Sequence, residues 1–139
     1  MRDELQVLGR TVKQAQYKQH RALDSRLAAA GTTLAQWDAL RAISRAPGSP
    51  ARALAAATFQ SEQAFGTLAG RLTALGLIDR RPGSGRRIEH HLTPAGEEVL
   101  STGHRIADEV LTACYSGLSP AERTTLLDLL RRVVDDAGA

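Results

Sequence analysis

Apolar residues recur at three- and four-residue steps along most of the chain, which is the spacing of amphipathic helices. The pattern changes once, at residues 77–92, where two segments that can each be extended flank the link Pro82-Gly83-Ser84-Gly85. Side chains alternate along a strand, so Ile88, His90 and Leu92 share one face of the second segment. The sequence therefore predicts one two-stranded hairpin in a chain that is otherwise helical.

Six helices are predicted from the residues that start and stop helices. A Ser or Thr side chain caps the first turn, proline fits the first helical position, and glycine favours the backbone that ends a helix. The start signals are Thr33, Ser49-Pro50, Ser61, Thr93-Pro94 and the capping box Ser119-Pro120-Ala121-Glu122, and the stop signals are Gly31, Ala46-Pro47-Gly48, Gly76 and Gly117. The predicted fold class is mostly α with a small β-hairpin, an α+β arrangement of about six helices.

The lengths of the terminal helices predict an oligomer. A compact monomer of 139 residues has a radius of gyration of only about 14 Å, whereas a helix of about 22 to 25 residues is roughly 33 to 38 Å long. The last helix is also apolar over more than one narrow stripe. We therefore expect a homodimer in which residues 1–30 and 94–139 form the dimerisation helices. The apolar residues of the last helix are Leu126, Leu127, Leu130, Val133 and Val134.

Length and composition exclude several classes of protein. A chain of 139 residues has the length of a single domain, residues 1–139. Its longest apolar run, 53–57, is far shorter than the roughly 20 residues that span a bilayer. No apolar segment follows the charged N-terminus as it does in a signal peptide. We therefore expect a cytoplasmic protein that has no membrane partner.

Motifs for catalysis, cofactors and metals are also missing from the sequence. It has no nucleophile elbow, phosphate-cradling loop or His-Asp-Ser arrangement, so we expect neither an enzyme nor a cofactor. The single cysteine, Cys114, excludes an intramolecular disulfide and a multi-cysteine zinc site. His90 and His91 point to opposite faces of a strand and cannot chelate together. His20 and His104 have no partner at metal-ligand spacing, so no metal site is expected.

The net charge is +3, and four arginines are concentrated in the predicted hairpin: Arg80, Arg81, Arg86 and Arg87 lie within eight residues. A local basic stripe on a weakly charged chain is typical of a face that binds nucleic acid. The same arginines are equally compatible with a solvated surface hairpin. A short helix, a capped helix and an arginine-bearing hairpin in this order predict a winged helix-turn-helix, with residues 33–93 as the DNA-binding lobe.

Short segments along nearly the whole chain fall at the spacing of one known family. They are Ala53-Leu54-Ala55, Ser61, Phe65, Leu68, Arg71-Leu72, Gly76-Leu77-Ile78-Asp79-Arg80-Arg81, Arg86, Leu92-Thr93-Pro94-Ala95-Gly96 and Leu118-Ser119-Pro120-Ala121-Glu122. In these positions the chain resembles the MarR (multiple antibiotic resistance regulator) family of winged helix-turn-helix transcriptional regulators. The resemblance implies a homodimer that binds a pseudo-palindromic operator in double-stranded DNA and usually represses transcription. In many members a small-molecule effector or an oxidant releases the DNA.

Two features depart from the family pattern. Ser84 stands where the family wing commonly has an aspartate, two residues before the arginine that matches Arg86, and the wing is shorter than usual. The recognition helix contains Gly66 and Gly70, each of which costs about 1 kcal/mol of helix propensity relative to alanine. Gly66 either permits close approach to DNA or is required by packing. These departures make a winged-helix protein-interaction module without specific DNA binding the alternative function.

The outward side of the fourth helix and the hairpin supply the candidate DNA-binding residues. Gln63 can bond bidentately to adenine. Glu62 either accepts a hydrogen bond from cytosine or is a first-turn acid favoured by the helix dipole. Arg71 contacts either a phosphate or its own chain. The full predicted set is Ser61, Glu62, Gln63, Gly66, Thr67, Arg71, Arg86 and Arg87.

Three further residues are weaker candidates for an effector pocket. The family resemblance implies a pocket between the dimer helices and the DNA-binding lobe, where we expect His20, Trp37 and His104. For Trp37 a position in the core is the favoured prediction. Cys114 is predicted to be buried on the inward side of the fifth helix and unreactive, because a reactive thiolate needs exposure and positive neighbours.

Overall fold

The computed structural model describes residues 2–136. This part of the chain contains six helices and one antiparallel hairpin, which confirms the predicted mostly helical α+β fold. In chain order the elements are α1 (Arg2–Ala29), α2 (Leu34–Arg45), α3 (Ala51–Ala57), α4 (Glu62–Ala74), β1 (Ile78–Pro82), β2 (Ile88–Leu92), α5 (Pro94–Cys114) and α6 (Pro120–Asp136). Met1 and residues 137–139, at the ends of the predicted dimerisation segments, lie outside the described residues.

Side-chain caps form at four of the predicted helix starts. The hydroxyls of Thr33, Ser61 and Thr93 accept hydrogen bonds from the amides three residues later, at 3.0, 3.0 and 3.1 Å. At α6 the Glu122 amide donates to the Ser119 hydroxyl at 3.2 Å, and the Ser119 amide donates to the Glu122 carboxylate at 2.8 Å. The bond from the Ser119 amide is the main cause of the lowered pKa of Glu122. The capping box is therefore present as predicted.

The start of α3 differs from the prediction. Ser49 does not cap this helix, because its hydroxyl donates to the Ala46 carbonyl at 2.7 Å. Pro50 occupies the cap position with an extended backbone and no side-chain bond, and α3 begins at Ala51. The Ser49-Pro50 pair therefore closes the turn after α2 instead of capping the next helix.

The core lies where α2, α3 and α4 pack around the hairpin and where α5 crosses α1 and α2. Gly96 lies against the Leu77 carbonyl, and Gly103 lies against the indole ring of Trp37. A Cβ atom at either position would overlap these groups, so glycine allows α5 to approach the lobe closely. The largest fully buried side chains are Phe65, Leu27, Leu40, Ile43, Leu54, Leu72 and Ile78.

Strand β1 is shifted by one residue from the predicted segment 77–81, and β2 begins two residues later than the predicted segment 86–92 and ends at the same residue. They pair antiparallel, with Arg80 directly opposite His90. His90 faces the interior as predicted and is 2% exposed. The amide of Gly48, in the turn between α2 and α3, donates to the His90 carbonyl at 2.9 Å. This bond attaches the turn to the outer edge of the hairpin.

Two residues at the spacing of a buried helix face are exposed, and the burial predicted for Cys114 is wrong. Leu75 follows Leu68 and Leu72 at helical spacing but is 54% exposed, because it is the C-cap residue and lies beyond the last buried residue, Leu72. Cys114 was expected on the inward side of α5 but is exposed in the single chain. The last buried residue of α5 is Val110, one turn earlier. Helical spacing alone places a residue on a face and does not show where the covering element ends.

Gly103→Ala is expected to lower the free energy of unfolding by about 1–3 kcal/mol, because the added methyl group would overlap the buried Trp37 ring. Urea unfolding followed by tryptophan fluorescence measures this change. Gly9→Ala is the matched control, since Gly9 is helical and a Cβ atom there meets nothing within 4 Å. An unchanged unfolding midpoint for Gly103→Ala would show that α5 does not depend on this close approach.

Candidate nucleic-acid interface

Helix α4 has an apolar side in the core and a polar side in solvent. Its buried residues are Phe65, Ala69 and Leu72. Residues three and four apart share a helix face, so the first turns present their polar side chains together. The predicted DNA-binding residues Ser61, Glu62, Gln63, Thr67 and Arg71 are all exposed.

The side chains on this polar face differ in whether they already have partners. The Ser61 hydroxyl caps α4, and the Thr67 hydroxyl donates to the Gln63 carbonyl at 3.2 Å. Within residues 2–136 the side chains of Gln63 and Arg71 have neither a hydrogen bond nor an ion pair. Gln63 and Arg71 are therefore available to a ligand outside the chain.

Packing within the chain does not require glycine at position 66. A Cβ atom there would meet nothing within 4 Å, which excludes the packing explanation for the described chain. Gly66 lies one turn after Glu62 and Gln63 on the same helix face. Glycine thus keeps this part of the face flat, at a cost of about 1 kcal/mol in helix propensity.

Arg80 connects the hairpin to α4, a role that the sequence pattern did not reveal. Its Nη2 donates to the Gly66 carbonyl at 3.0 Å. A Cβ atom on Gly70 would lie 3.5 Å from the same nitrogen, so Arg80 extends along the glycine side of α4. The alternation predicted for the strands contained a signal for this contact. Directly opposed residues of two paired strands share a face of the sheet, so Arg80, opposite the inward-facing His90, also faces α4.

The four arginines of the hairpin separate into two pairs. Arg80 bonds to α4, and the Arg81 guanidinium lies 3.6 Å from the Asp79 carboxylate. Arg86 and Arg87 are exposed beside the hairpin tip and form no ion pair within the described part of the chain. The two cations closest to the tip therefore remain available to an external anion.

The hairpin tip is a tight turn held by two backbone hydrogen bonds. The Gly83 amide donates to the Arg87 carbonyl at 2.8 Å, and the Arg87 amide donates to the Ser84 carbonyl at 3.2 Å. Gly85 has a φ of 64°, a backbone conformation that favours glycine. The backbone thus orders the short wing without the aspartate that the family pattern has at position 84.

His90 joins the turn after α2, the hairpin and helix α4. Its Nδ1 lies 2.9 Å from the Ser49 carbonyl, and its ring meets Phe65 of α4 edge to face at 6.0 Å between centroids. Burial lowers the pKa of His90, and the nearby charge of Arg80 lowers it further, whereas the hydrogen bond to Ser49 opposes the shift. The ring is therefore neutral near pH 7, with Nδ1–H donating to Ser49.

Comparisons with known proteins agree on one family. A family model described as MarR family matches residues 30–88. The structure is similar to a probable transcriptional regulator from Pseudomonas aeruginosa (29% identity, TM-score 0.80, covering 90% of this chain and 95% of that chain). It is also similar to a mutant MarR from E. coli complexed with operator DNA (24% identity, TM-score 0.85, covering 94% of this chain and 96% of that chain). No curated protein sequence matches the chain.

A third solved structure extends this agreement. It is a MarR family protein of Mycobacterium tuberculosis in complex with salicylic acid (21% identity, TM-score 0.76, covering 91% of this chain and 95% of that chain). The helix-turn-helix region thus matches a family model described as MarR family, and the fold as a whole is that of solved MarR proteins. Proteins of this family are DNA-binding transcription regulators and not enzymes, which confirms the expected class of function. In this MarR fold, α3 and α4 form the helix-turn-helix, and β1 and β2 form the wing.

The structure brings together two of the three candidate pocket residues. Trp37 is buried, as favoured, and its ring meets His104 edge to face at 5.7 Å between centroids. The Arg41 guanidinium lies 4.7 Å from the centre of the Trp37 ring. The Nε1 atom of Trp37 has no hydrogen-bond partner within residues 2–136. His20 is exposed on α1 and shares no ring contact or hydrogen bond with this pair in the described chain.

The described histidines and carboxylates do not form a metal site. Within residues 2–136 no three His, Cys, Asp or Glu side chains are grouped to hold an ion. His90 and His91 have separate partners: His90 bonds to Ser49, and His91 lies 3.0 Å from the Glu89 carboxylate. The same residues include no helix long and apolar enough to cross a membrane.

Acidification is expected to destabilise the protein through His90. Its folded pKa lies below the ordinary value near 6.5, so the unfolded chain takes up a proton first as the pH falls. The contribution of His90 is therefore fully present above about pH 6.5 and decreases below it, by up to about 1.4 kcal/mol per pH unit. Urea unfolding at pH values from about 5 to 8 measures this slope.

His90→Gln should remove the contribution of His90 to the slope. His20→Gln is the matched control, because His20 is exposed and the slope should survive its loss. A His90→Gln variant whose stability depends on pH as steeply as that of the unsubstituted protein would contradict the assignment.

Proposed function

We propose that this protein is a sequence-specific DNA-binding repressor that acts as a homodimer on a pseudo-palindromic operator. The observation that carries the proposal is a set of side chains without intramolecular partners on α4 and the wing, within residues 2–136: Gln63, Arg71, Arg86 and Arg87. A helix fits the major groove, where its polar side chains reach base edges, and flanking cations suit phosphates. The E. coli relative complexed with operator DNA supports the same use of this fold.

The first turn of α4 and the wing have different parts in this proposal. Gln63 reads a base, and Glu62 on the same turn is an acceptor for cytosine. Thr67 and Gly66 continue the same face, while Ser61 fixes the helix start. The proposed phosphate-contacting residues are Arg71, Arg86 and Arg87. They set the register of the protein on the duplex.

Exposed apolar side chains on the terminal helices support the homodimer. In the single chain Leu5 and Leu8 are 73% and 58% exposed, and Val133 and Val134 are 63% and 73% exposed. Apolar surface of this extent on two long helices is typical of an interface, and a second copy covers it most simply. A twofold dimer presents two α4 helices, so the operator should contain inverted half-sites with centres about 10 to 10.5 bp apart.

A small aromatic acid is the proposed class of effector. The Mycobacterium tuberculosis relative is in complex with salicylic acid. In this chain Trp37, Arg41 and His104 place two rings and a cation where α2 meets α5. A ligand at this junction would act between the DNA-binding lobe and the dimerisation helices. His20 remains a proposed member of the pocket.

Selection of bound sites from randomised duplex DNA tests the proposal directly. Enrichment of one inverted repeat is the expected result, and it supplies the operator for the measurements below. A purified dimer that enriches no sequence would instead favour the protein-interaction module.

Gln63→Ala and Arg86→Ala are expected to affect DNA binding in different ways. Loss of the base contact at Gln63 should weaken operator binding by about 1–3 kcal/mol, spare non-specific binding and relax preference at one symmetric pair of positions. Loss of the phosphate contact at Arg86 should weaken binding to operator and unrelated DNA alike. It should also reduce the salt slope by about one phosphate per half-site, or about two for the bound dimer. Salt titrations on both DNA sequences measure these effects.

Arg81→Ala is the matched control for Arg86→Ala, because Arg81 is already paired with Asp79. It should change the salt slope less than Arg86→Ala does. If Gln63→Ala lowered both affinities equally and Arg86→Ala changed only base preference, the two assignments would be reversed.

Gly66→Ala is expected to stabilise the fold and weaken operator binding. Alanine gains up to about 1 kcal/mol of helix propensity, and its methyl group meets nothing in the chain. The same methyl group would stand beside Gln63 on the face proposed to enter the groove. Thermal unfolding and operator titration measure the two effects. Gly70→Ala, further from the first turn, should stabilise without a comparable loss of binding, and equal binding by Gly66→Ala would refute close approach at Gly66.

A further inference from the structure

Phe59 is 96% exposed, more than any other large apolar side chain in the described chain. It lies in the turn between α3 and α4. Its φ is 58°, and among residues 2–136 it is the only residue other than glycine with a positive φ. Phenylalanine gains nothing from burial in this position and is in a backbone region that favours glycine.

The hydrogen bonds of the turn explain this backbone conformation. The Phe59 amide donates to the Ala56 carbonyl at 3.3 Å, and the Gln60 amide donates to the Ala55 carbonyl at 2.9 Å. This pattern closes a helix with a left-handed residue, most often glycine. Thr58 is also fixed, because its hydroxyl donates to the Leu54 carbonyl at 2.8 Å. The turn is therefore ordered from within, and the ring of Phe59 is held in solvent.

Phe59 is close to the part of α4 that is proposed to read bases. Two peptide units separate it from Ser61, the N-cap residue, so their Cα atoms are at most about 7.6 Å apart. Glu62 and Gln63 follow in the first turn of α4. The two residues between Phe59 and these side chains, Gln60 and Ser61, are polar.

We propose that Phe59 is a specificity-determining residue that contacts the C5-methyl group of a thymine at the edge of the major groove. This inference rests on the proposed DNA-binding function. Phenylalanine and other apolar groups recognise thymine by its methyl group, which cytosine lacks. A strained residue held in position is typical of a functional contact, and the fixed turn lowers the ordering cost of binding.

The test compares operator binding by the full-length dimer and by Phe59→Gly, using fluorescence anisotropy on the operator obtained by selection. Glycine fits the left-handed backbone, so Phe59→Gly should unfold at a temperature no lower than the unsubstituted protein. Its operator affinity should nevertheless fall about 10-fold, and its affinity for unrelated DNA should change little. Leu75→Ala, which removes another exposed apolar side chain near the opposite end of α4, is the matched control and should bind normally.

A second measurement identifies the methyl group. Each thymine of the operator is replaced in turn by deoxyuridine, which removes only that methyl group. The unsubstituted protein should lose about 4-fold in affinity at one symmetric pair of positions, and Phe59→Gly should lose nothing more there. Phe59→Leu keeps an apolar side chain and should retain part of this discrimination.

The outcomes separate this inference from the function on which it rests. A protein that enriches no DNA sequence overturns both. A protein that binds its operator, while Phe59→Gly binds it equally well, overturns the role of Phe59 alone. A loss of affinity for operator and unrelated DNA alike, with no effect of deoxyuridine, would place Phe59 on the DNA backbone and also overturns the proposal.

Discussion

The buried ring of His90 fixes the geometry of the helix-turn-helix and its wing. Its side chain bonds to Ser49, its carbonyl accepts the Gly48 amide, and its ring packs on Phe65. The turn after α2, the wing and the recognition helix therefore meet at one residue. Burial together with Arg80 lowers the pKa of His90 and so favours the neutral ring, which donates its Nδ1–H to Ser49. The distance between wing and recognition helix is thus set from the interior.

A second contact between the wing and α4 lies at the surface. It depends on the low helix propensity of two residues of α4. Gly66 and Gly70 together cost α4 about 2 kcal/mol relative to alanine. The Ser61 cap offsets about 1 kcal/mol of this cost, and burial of Phe65 supplies more. In return, Arg80 extends along the glycine side and bonds to the helix backbone. Helix α4 is therefore stabilised by its cap and its core face, and its exposed side is free to be shaped for a ligand.

Most features that depend on local chemistry were predictable from the sequence, the cap expected at Ser49 being the exception, whereas features that depend on several elements together were not. Thr33, Ser61 and the capping box at Ser119 act through bonds within three residues, so the sequence pattern located them. Exposure of Cys114 depends on where a neighbouring element ends, which helical spacing does not encode. The candidate site shows the same division. The exposed face of α4 followed from periodicity, but the partner of Arg80 and the empty space beside Gly66 required the positions of two elements at once.

The charges of the chain are distributed unevenly, which bears on how DNA would approach it under the proposed function. Residues 49–93 contain six arginines and three acidic residues, whereas residues 94–139 contain four arginines and eight acidic residues. The winged lobe is thus positive and the C-terminal helices are negative, a separation that favours approach of DNA from the side of the lobe. At physiological salt, charges act over only about 8 Å, so Arg86 and Arg87 at the tip count for more than the net charge of +3. Under the proposed function these cations supply affinity without sequence information, so discrimination between DNA sequences would come from the polar face of α4, where close fit matters more than charge.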